Sequence, residues 1–242
     1  MRVVVAAVVL MLAAVSARAE RVDLELVLLA DATGSIDRAE LMFQRRGYAE
    51  AMRSPAVLNA IAGGFDGKIA VTYVEWATAD AQHVVVPWMV IDGAASAATF
   101  AERLMAAPRE AFGRNAIGSA LARGVELLDE NAFDGFRRVI DLSADSANNW
   151  GGLSIAAGRE RAAAAGVVVN GLAVLCRAAD CSGRPIRYDL ERSFAEQIIT
   201  GPGAFVVTAD DGPSFADAVR QKLILEIADI RNADGVRYAD GS

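Results

Sequence analysis

Asp31, Thr33 and Ser35 alternate at a spacing of two in Ala30-Asp31-Ala32-Thr33-Gly34-Ser35, just after the apolar run from Leu24 to Leu29. A carboxylate and two hydroxyls are hard oxygen donors, suited to Mg²⁺, Mn²⁺ or Ca²⁺ rather than to zinc or copper. Asp37 followed by Glu40 opens a helix directly behind them, and the partial positive charge of a helix N-terminus favours an anion over a metal. A cation held here therefore needs further carboxylates from elsewhere in the chain. Other reactive side chains are few. Cys176 and Cys181, the two cysteines, are expected to close a small loop disulfide in an oxidising compartment, because two thiolates with no His nearby make an incomplete zinc site. His83, the single histidine, is expected to be structural or simply exposed. Glu75, near the end of an apolar strand beside Tyr73 and Trp76, calls for a partner, and a structural ion pair is the expected one.

These residues must be positioned by alternating strands and helices. Residues 24–29 read as a strand buried on both faces, with Glu25 as its one charge and Gly34 allowing the tight turn that follows. Helical periodicity over 37–53 places Leu41, Tyr48 and Met52 on one side, and Arg38, Glu40, Arg45, Arg46 and Glu50 on a face expected to be solvated. A short helix over 56–62 follows. Strands are expected at 67–77 and 82–91, close enough to form a hairpin, and Pro87 puts the second of them at the sheet edge. Helices at 94–105, 119–131, 155–165, 190–199 and 214–229 then alternate with strands at 137–143, 167–175 and 204–208. The pattern predicts a three-layer, doubly wound α/β domain: a mostly parallel six-stranded sheet with one antiparallel edge strand, whose ligands bind beyond the carboxyl ends of strands where strand order reverses.

Asp31-Ala-Thr-Gly-Ser35 resembles the metal-ion-dependent adhesion site of the von Willebrand factor A family, which begins Asp-x-Ser-x-Ser after the first strand. Thr33 replaces the first Ser and keeps its hydroxyl. With Val71 to Trp76, Asp141 to Asp145 and Gly201 to Phe205, the chain is similar to an exported bacterial single-domain branch of that family of unknown function, over about residues 22–229. The resemblance implies two further ligands. Asn115, in Gly113-Arg114-Asn115, stands where the family has a Thr, and an amide oxygen also coordinates Mg²⁺ or Ca²⁺. Asp145, in the loop after the fourth strand, matches the family's last acidic ligand, whereas Asp141 lies too early in that strand to reach its end. Arg114 departs from the pattern by adding a cation beside the site, and a guanidinium bridging Asp31 and Asp145 would exclude a metal.

Composition bounds the rest. The 242 residues, 54% hydrophobic, suffice for one domain with a sizeable core. Arg2, the apolar run Val3 to Val15 and Ala17-Arg18-Ala19 form a signal peptide over 1–19, too short to favour a membrane anchor. A domain over 20–230 and a polar tail over 231–242 follow. Loss of Arg2 and Arg18 takes the formal charge from −7 to −9, unfavourable for nucleic-acid binding, and no later stretch is suited to membrane insertion. The expected protein is exported, to the periplasm or beyond. It is a non-catalytic, adhesion-type module with one divalent cation, Mg²⁺ before Mn²⁺ or Ca²⁺, that binds a protein presenting a carboxylate. The alternatives are a metal-dependent hydrolase of phosphatase type, whose second Asp would fall at Thr33, and a periplasmic solute-binding protein, which ordinarily needs a second lobe. No nucleotide-binding glycine loop or nucleophile elbow is present, and one histidine leaves little for a hydrolytic triad.

Overall fold

The computed structural model describes residues 19–175, 188–210 and 214–228. Its elements run β1 (Glu20–Asp31), α1 (Arg38–Arg53), α2 (Pro55–Ala62), β2 (Ile69–Trp76), β3 (Gln82–Ile91), α3 (Ala94–Ala106), α4 (Ile117–Glu130), β4 (Phe133–Ala144), α5 (Ile155–Ala164), β5 (Val168–Leu175), α6 (Leu190–Gln197), β6 (Val206–Asp210) and α7 (Ser214–Ala228). The strands form one six-stranded sheet in the order β3-β2-β1-β4-β5-β6. All pairings are parallel except that of β3 with β2 at one edge. This is the doubly wound α/β architecture expected from the sequence.

β1 is central, and from Val22 to Asp31 every residue is buried. The alternation of a strand divides its side chains between two layers. Leu24, Leu26, Leu28 and Ala30 pack with α1, α2, α3 and α7, while Val27 and Leu29 pack with α4, α5 and α6. Phe215, Val219, Leu223 and Ile227 of α7 form the buried stripe expected from their spacing. The charges low on β1 are satisfied locally. Glu25 accepts from Asn131 Nδ2 at 2.6 Å and from the Gly135 N–H at 2.7 Å, and Asp23 accepts from the Asp66 N–H at 2.8 Å.

Pro87 lies at an irregularity in the edge pairing: Met89 stands opposite Val71 but Val86 opposite Tyr73, so the residue without an N–H falls in a bulge. One expectation about charge is corrected: Arg45 is not on a solvated face of α1; it is 1% exposed and paired with Glu75. On α7, Lys222 and Glu226, which no sequence pattern singled out, are fully buried against Asp141 of β4, with Lys222 Nζ 2.8 Å from Asp141 Oδ1. Local periodicity cannot reveal a buried charge whose partner is supplied by another element. The segments 1–18 and 229–242, and the Cys176–Cys181 pair, lie outside the described residues.

Candidate metal centre

Strand order reverses between β1 and β4: the chain leaves β1 for β2 on one side and later enters β4 on the other. Asp31 is the last residue of β1, and Asp145 follows the last residue of β4. The parallel register pairs Ala30 with Ser143, so both chains emerge at the same rim. The crevice beyond such a switch point is where open α/β sheets take their ligands.

The β1–α1 loop is built by local hydrogen bonds. Asp31 Oδ1 accepts from the Thr33 N–H at 2.8 Å, the Ile36 N–H donates to the Thr33 carbonyl at 3.0 Å, and the Thr33 and Ser35 hydroxyl oxygens lie 3.2 Å apart. Asp37 then caps α1, accepting from the Glu40 N–H while Glu40 Oε2 accepts from the Asp37 N–H, both at 2.9 Å. The loop carrying Asn115 packs alongside: the Gly34 N–H donates to the Gly113 carbonyl at 2.7 Å. The glycine conformation falls at Gly113, φ +117°, and not at Gly34 as the turn had suggested. A Cβ on Gly113 would also lie 2.4 Å from Thr78 Cγ2. The third loop joins through Asn115, whose Nδ2 donates to Ser146 Oγ at 3.1 Å and whose carbonyl accepts from the Trp150 N–H at 2.7 Å. With Nδ2 occupied, Oδ1 is the Asn115 atom left to act as a ligand.

The five candidate residues thus come from three loops that touch one another. Asp31 and Thr33 are buried, Asn115 is nearly so, Asp145 is half-buried and Ser35 is exposed, so the set grades from a closed floor to an open rim. Its electrostatics are those of two crowded carboxylates. Burial, followed by the charge of Asp145, raises the Asp31 pKa from 3.8 to about 8. Burial also raises Asp145, opposed by a hydrogen bond from the Ser35 hydroxyl and reinforced by the charge of Glu40. Asp31 Oδ2 is buried without a hydrogen bond of full geometry, and the backbone of Thr33 and Asp145 and the Thr33 hydroxyl only partly offset the rise in the Asp31 pKa. A buried carboxylate oxygen without a full hydrogen bond, facing a second carboxylate, with hydroxyl and amide oxygens beside it, suits a small hard cation. Among the described residues no three His, Cys, Asp or Glu side chains are grouped for a metal, so any such site rests on two carboxylates completed by neutral oxygens. Arg114 does not bridge the gap: it is exposed, lies 5.7 Å from the Trp150 ring and forms no ion pair among the described residues.

Two contributors were not singled out from the sequence. Arg109 holds the β1–α1 loop from outside, donating through Nη2 to the Ala32 and Thr33 carbonyls at 2.7 and 3.1 Å and through Nη1 to the Ile36 carbonyl at 2.9 Å. Arg45 donates through Nε to Glu75 at 2.7 Å and through its other nitrogens to the carbonyls of Ala107 and Pro108, fixing the start of the Asn115 loop. Glu75 is therefore in the structural ion pair expected of it. His83 is partly exposed, with Nδ1 3.3 Å from Glu110. A conserved-looking spacing would not have marked either arginine, because both act on backbone carbonyls brought near only by folding.

A six-stranded sheet in this order, with an acidic loop at the β1–β4 switch point, defines a von Willebrand factor A-like fold. Solved structures of that fold are similar to this chain. The pilus adhesin SpaC from Lactobacillus rhamnosus GG matches with TM-score 0.57 and 16% identity, covering 86% of this chain and 30% of its own. The vWF domain of the type V pili tip protein Mfa5 from Porphyromonas gingivalis matches with TM-score 0.54 and 10% identity, covering 91% and 98%. Proximal thread matrix protein 1 from the mussel byssus, with a zinc-occupied MIDAS motif, matches with TM-score 0.52 and 17% identity, covering 85% and 46%. This chain thus spans less than a third of the SpaC chain. It belongs to the family described as a protein of unknown function, DUF1194, which it matches over residues 21–231. No curated protein matches it.

Proposed function

We propose that this protein is an exported, non-catalytic binding module in which Asp31, Thr33, Ser35, Asn115 and Asp145 hold one divalent cation, directly or through water, and that the cation binds a carboxylate of a partner protein. The observation that carries the reading is the buried Oδ2 of Asp31, without a full hydrogen bond, beside Asp145: two acidic groups whose mutual repulsion a cation would relieve. With only two protein carboxylates, a bound divalent ion gains from a third anionic ligand, which makes partner binding depend on the metal. Mg²⁺ is the first candidate, then Mn²⁺ and Ca²⁺. The mussel protein's zinc adds that ion to the test.

Export, a mature domain starting at Glu20 and a Cys176–Cys181 disulfide belong to the same proposal, supported by the Arg2-to-Ala19 leader and the pair's spacing. No described helix is long and apolar enough to cross a membrane.

A thermal-shift titration of the protein with each of the four cations, repeated on Asp31→Ala, tests the reading. The parent midpoint is expected to rise with cation concentration and the variant's to stay flat. Absence of any cation response in the parent would overturn the reading, and hydrolysis of a generic phosphate ester that is abolished by Asp31→Ala would replace it with the hydrolase.

A further inference from the structure

The rim around the candidate metal centre is not the polar collar that a site for a bare ion needs. Phe112, Trp150 and Leu153 are 59%, 65% and 43% exposed, and each belongs to a loop that hydrogen-bonds to the site. Phe112 directly precedes Gly113, whose carbonyl holds Gly34, and the Trp150 N–H donates to the Asn115 carbonyl. Tyr188, also exposed, accepts the Ala147 N–H on its Oη at 3.0 Å, two residues from Asp145. Scattered exposed apolar residues are ordinary, but several carried on the loops that build one site offer a contact surface.

Each of the two large aromatics is backed by a guanidinium. Arg109 lies 4.8 Å from the Phe112 ring centre and is committed to backbone carbonyls. Arg114 lies 5.7 Å from that of Trp150 and has no acidic partner among the described residues. An arginine stacked on an indole keeps its outward N–H groups free for a carboxylate while losing little side-chain freedom on binding it. On a chain of net charge −7, a cation beside the site with no acidic partner among the described residues is the complement of an acidic ligand.

We infer that the partner segment is acidic at two points and apolar between or beside them: one carboxylate for the cation, a second for Arg114, and an apolar side chain against Trp150 and Phe112. The inference rests on the metal-dependent reading above and adds the second acidic point and the apolar contact, which supply specificity that a single carboxylate on a metal lacks. Aromatic and arginine side chains are the types that dominate protein–protein contact energies.

The test is an array of synthetic peptides, each with one fixed Asp, a Glu or a Lys scanned through the flanking positions and either Leu or Gly in the remaining ones. It is probed with the exported protein in excess Mg²⁺ and again in EDTA. Capture is expected to need Mg²⁺ and to favour the peptides with a second acid by roughly fivefold, as for a well-placed charge pair at an interface rim. Arg114→Ala should abolish that preference while keeping the Mg²⁺ thermal response, Arg114→Glu should favour Lys at the same position, and Trp150→Ala should remove the preference for Leu. Mg²⁺-dependent capture that is indifferent to the second acid, or a preference that survives in Arg114→Ala, overturns this inference and leaves the metal reading standing. No Mg²⁺-dependent capture by any peptide overturns it as well, and the thermal titration of the parent then tells whether the metal reading has fallen with it.

Discussion

Asp31 and Asp145 leave adjacent parallel strands at the same rim, and the charge of Asp145 adds to burial in raising the Asp31 pKa to about 8. A carboxyl raised in the folded state stabilises while protonated. That contribution is complete below the unfolded value near 4 and is lost as pH rises toward 8. In EDTA, Asp31→Asn should therefore gain on the parent in melting midpoint across this window. A divalent cation takes the place of the proton, so the increment it gives the parent should grow from pH 6 to pH 8 and be missing in the variant. Scanning fluorimetry at three pH values, with and without Mg²⁺, reads both; a parent and variant that track each other in EDTA would contradict the crowding of the two carboxylates.

Arg109 spans from the Asn115 loop to three carbonyls of the Asp31 loop. Arg109→Ala is expected to weaken Mg²⁺ binding about tenfold by calorimetric titration, with a loss of about 1–2 kcal/mol in stability from the lost hydrogen bonds. Arg109→Lys should recover little, because a single ammonium cannot reach all three carbonyls. Unchanged affinity would make the contact purely structural.

The Arg45–Glu75 pair is almost fully buried, and Glu75 Oε2 has no hydrogen bond. Removing one partner strands the other charge. Arg45→Met is expected to cost about 3–5 kcal/mol in urea unfolding, and the double variant Arg45→Met with Glu75→Leu should regain most of it. A single variant within about 1 kcal/mol of the parent would show that water reaches the pair.

Asp141, Lys222 and Glu226 place two acids and one base in the core beneath α7. Burial raises the Asp141 pKa to about 7 although Lys222 opposes it, and the two carboxylates raise that of Lys222 over the opposition of burial. Sign follows protonation. Asp141 stabilises fully below about pH 4 and loses that contribution as pH rises through 7, while the Lys222 contribution is present at neutral pH and lost only above its ordinary 10.5. Lys222→Met removes the one cation, so its destabilisation should be larger at pH 8 than at pH 5 when unfolding is followed at both. Equal losses at the two values would contradict the buried triad.

The alternation of apolar strands and amphipathic helices was enough, by itself, to give the layers, the burial of β1 on both faces and the antiparallel edge, because each depends on periodicity and turn chemistry within short windows; the strand order that puts β1 at the centre came from the structure. The Asp31-x-Thr33-x-Ser35 spacing was legible for the same reason: its geometry is set by hydrogen bonds within one loop. Tertiary structure alone decided what crosses elements. It turned Arg114 outward onto Trp150, buried Arg45 against Glu75 and set Lys222 against Asp141 of β4, whereas Asn115 and Asp145 had been marked beforehand by the family resemblance. Charges read from sequence default to solvent, since burying one is costly until a partner arrives, and that partner lay 30 residues away for Arg45 and farther for Lys222.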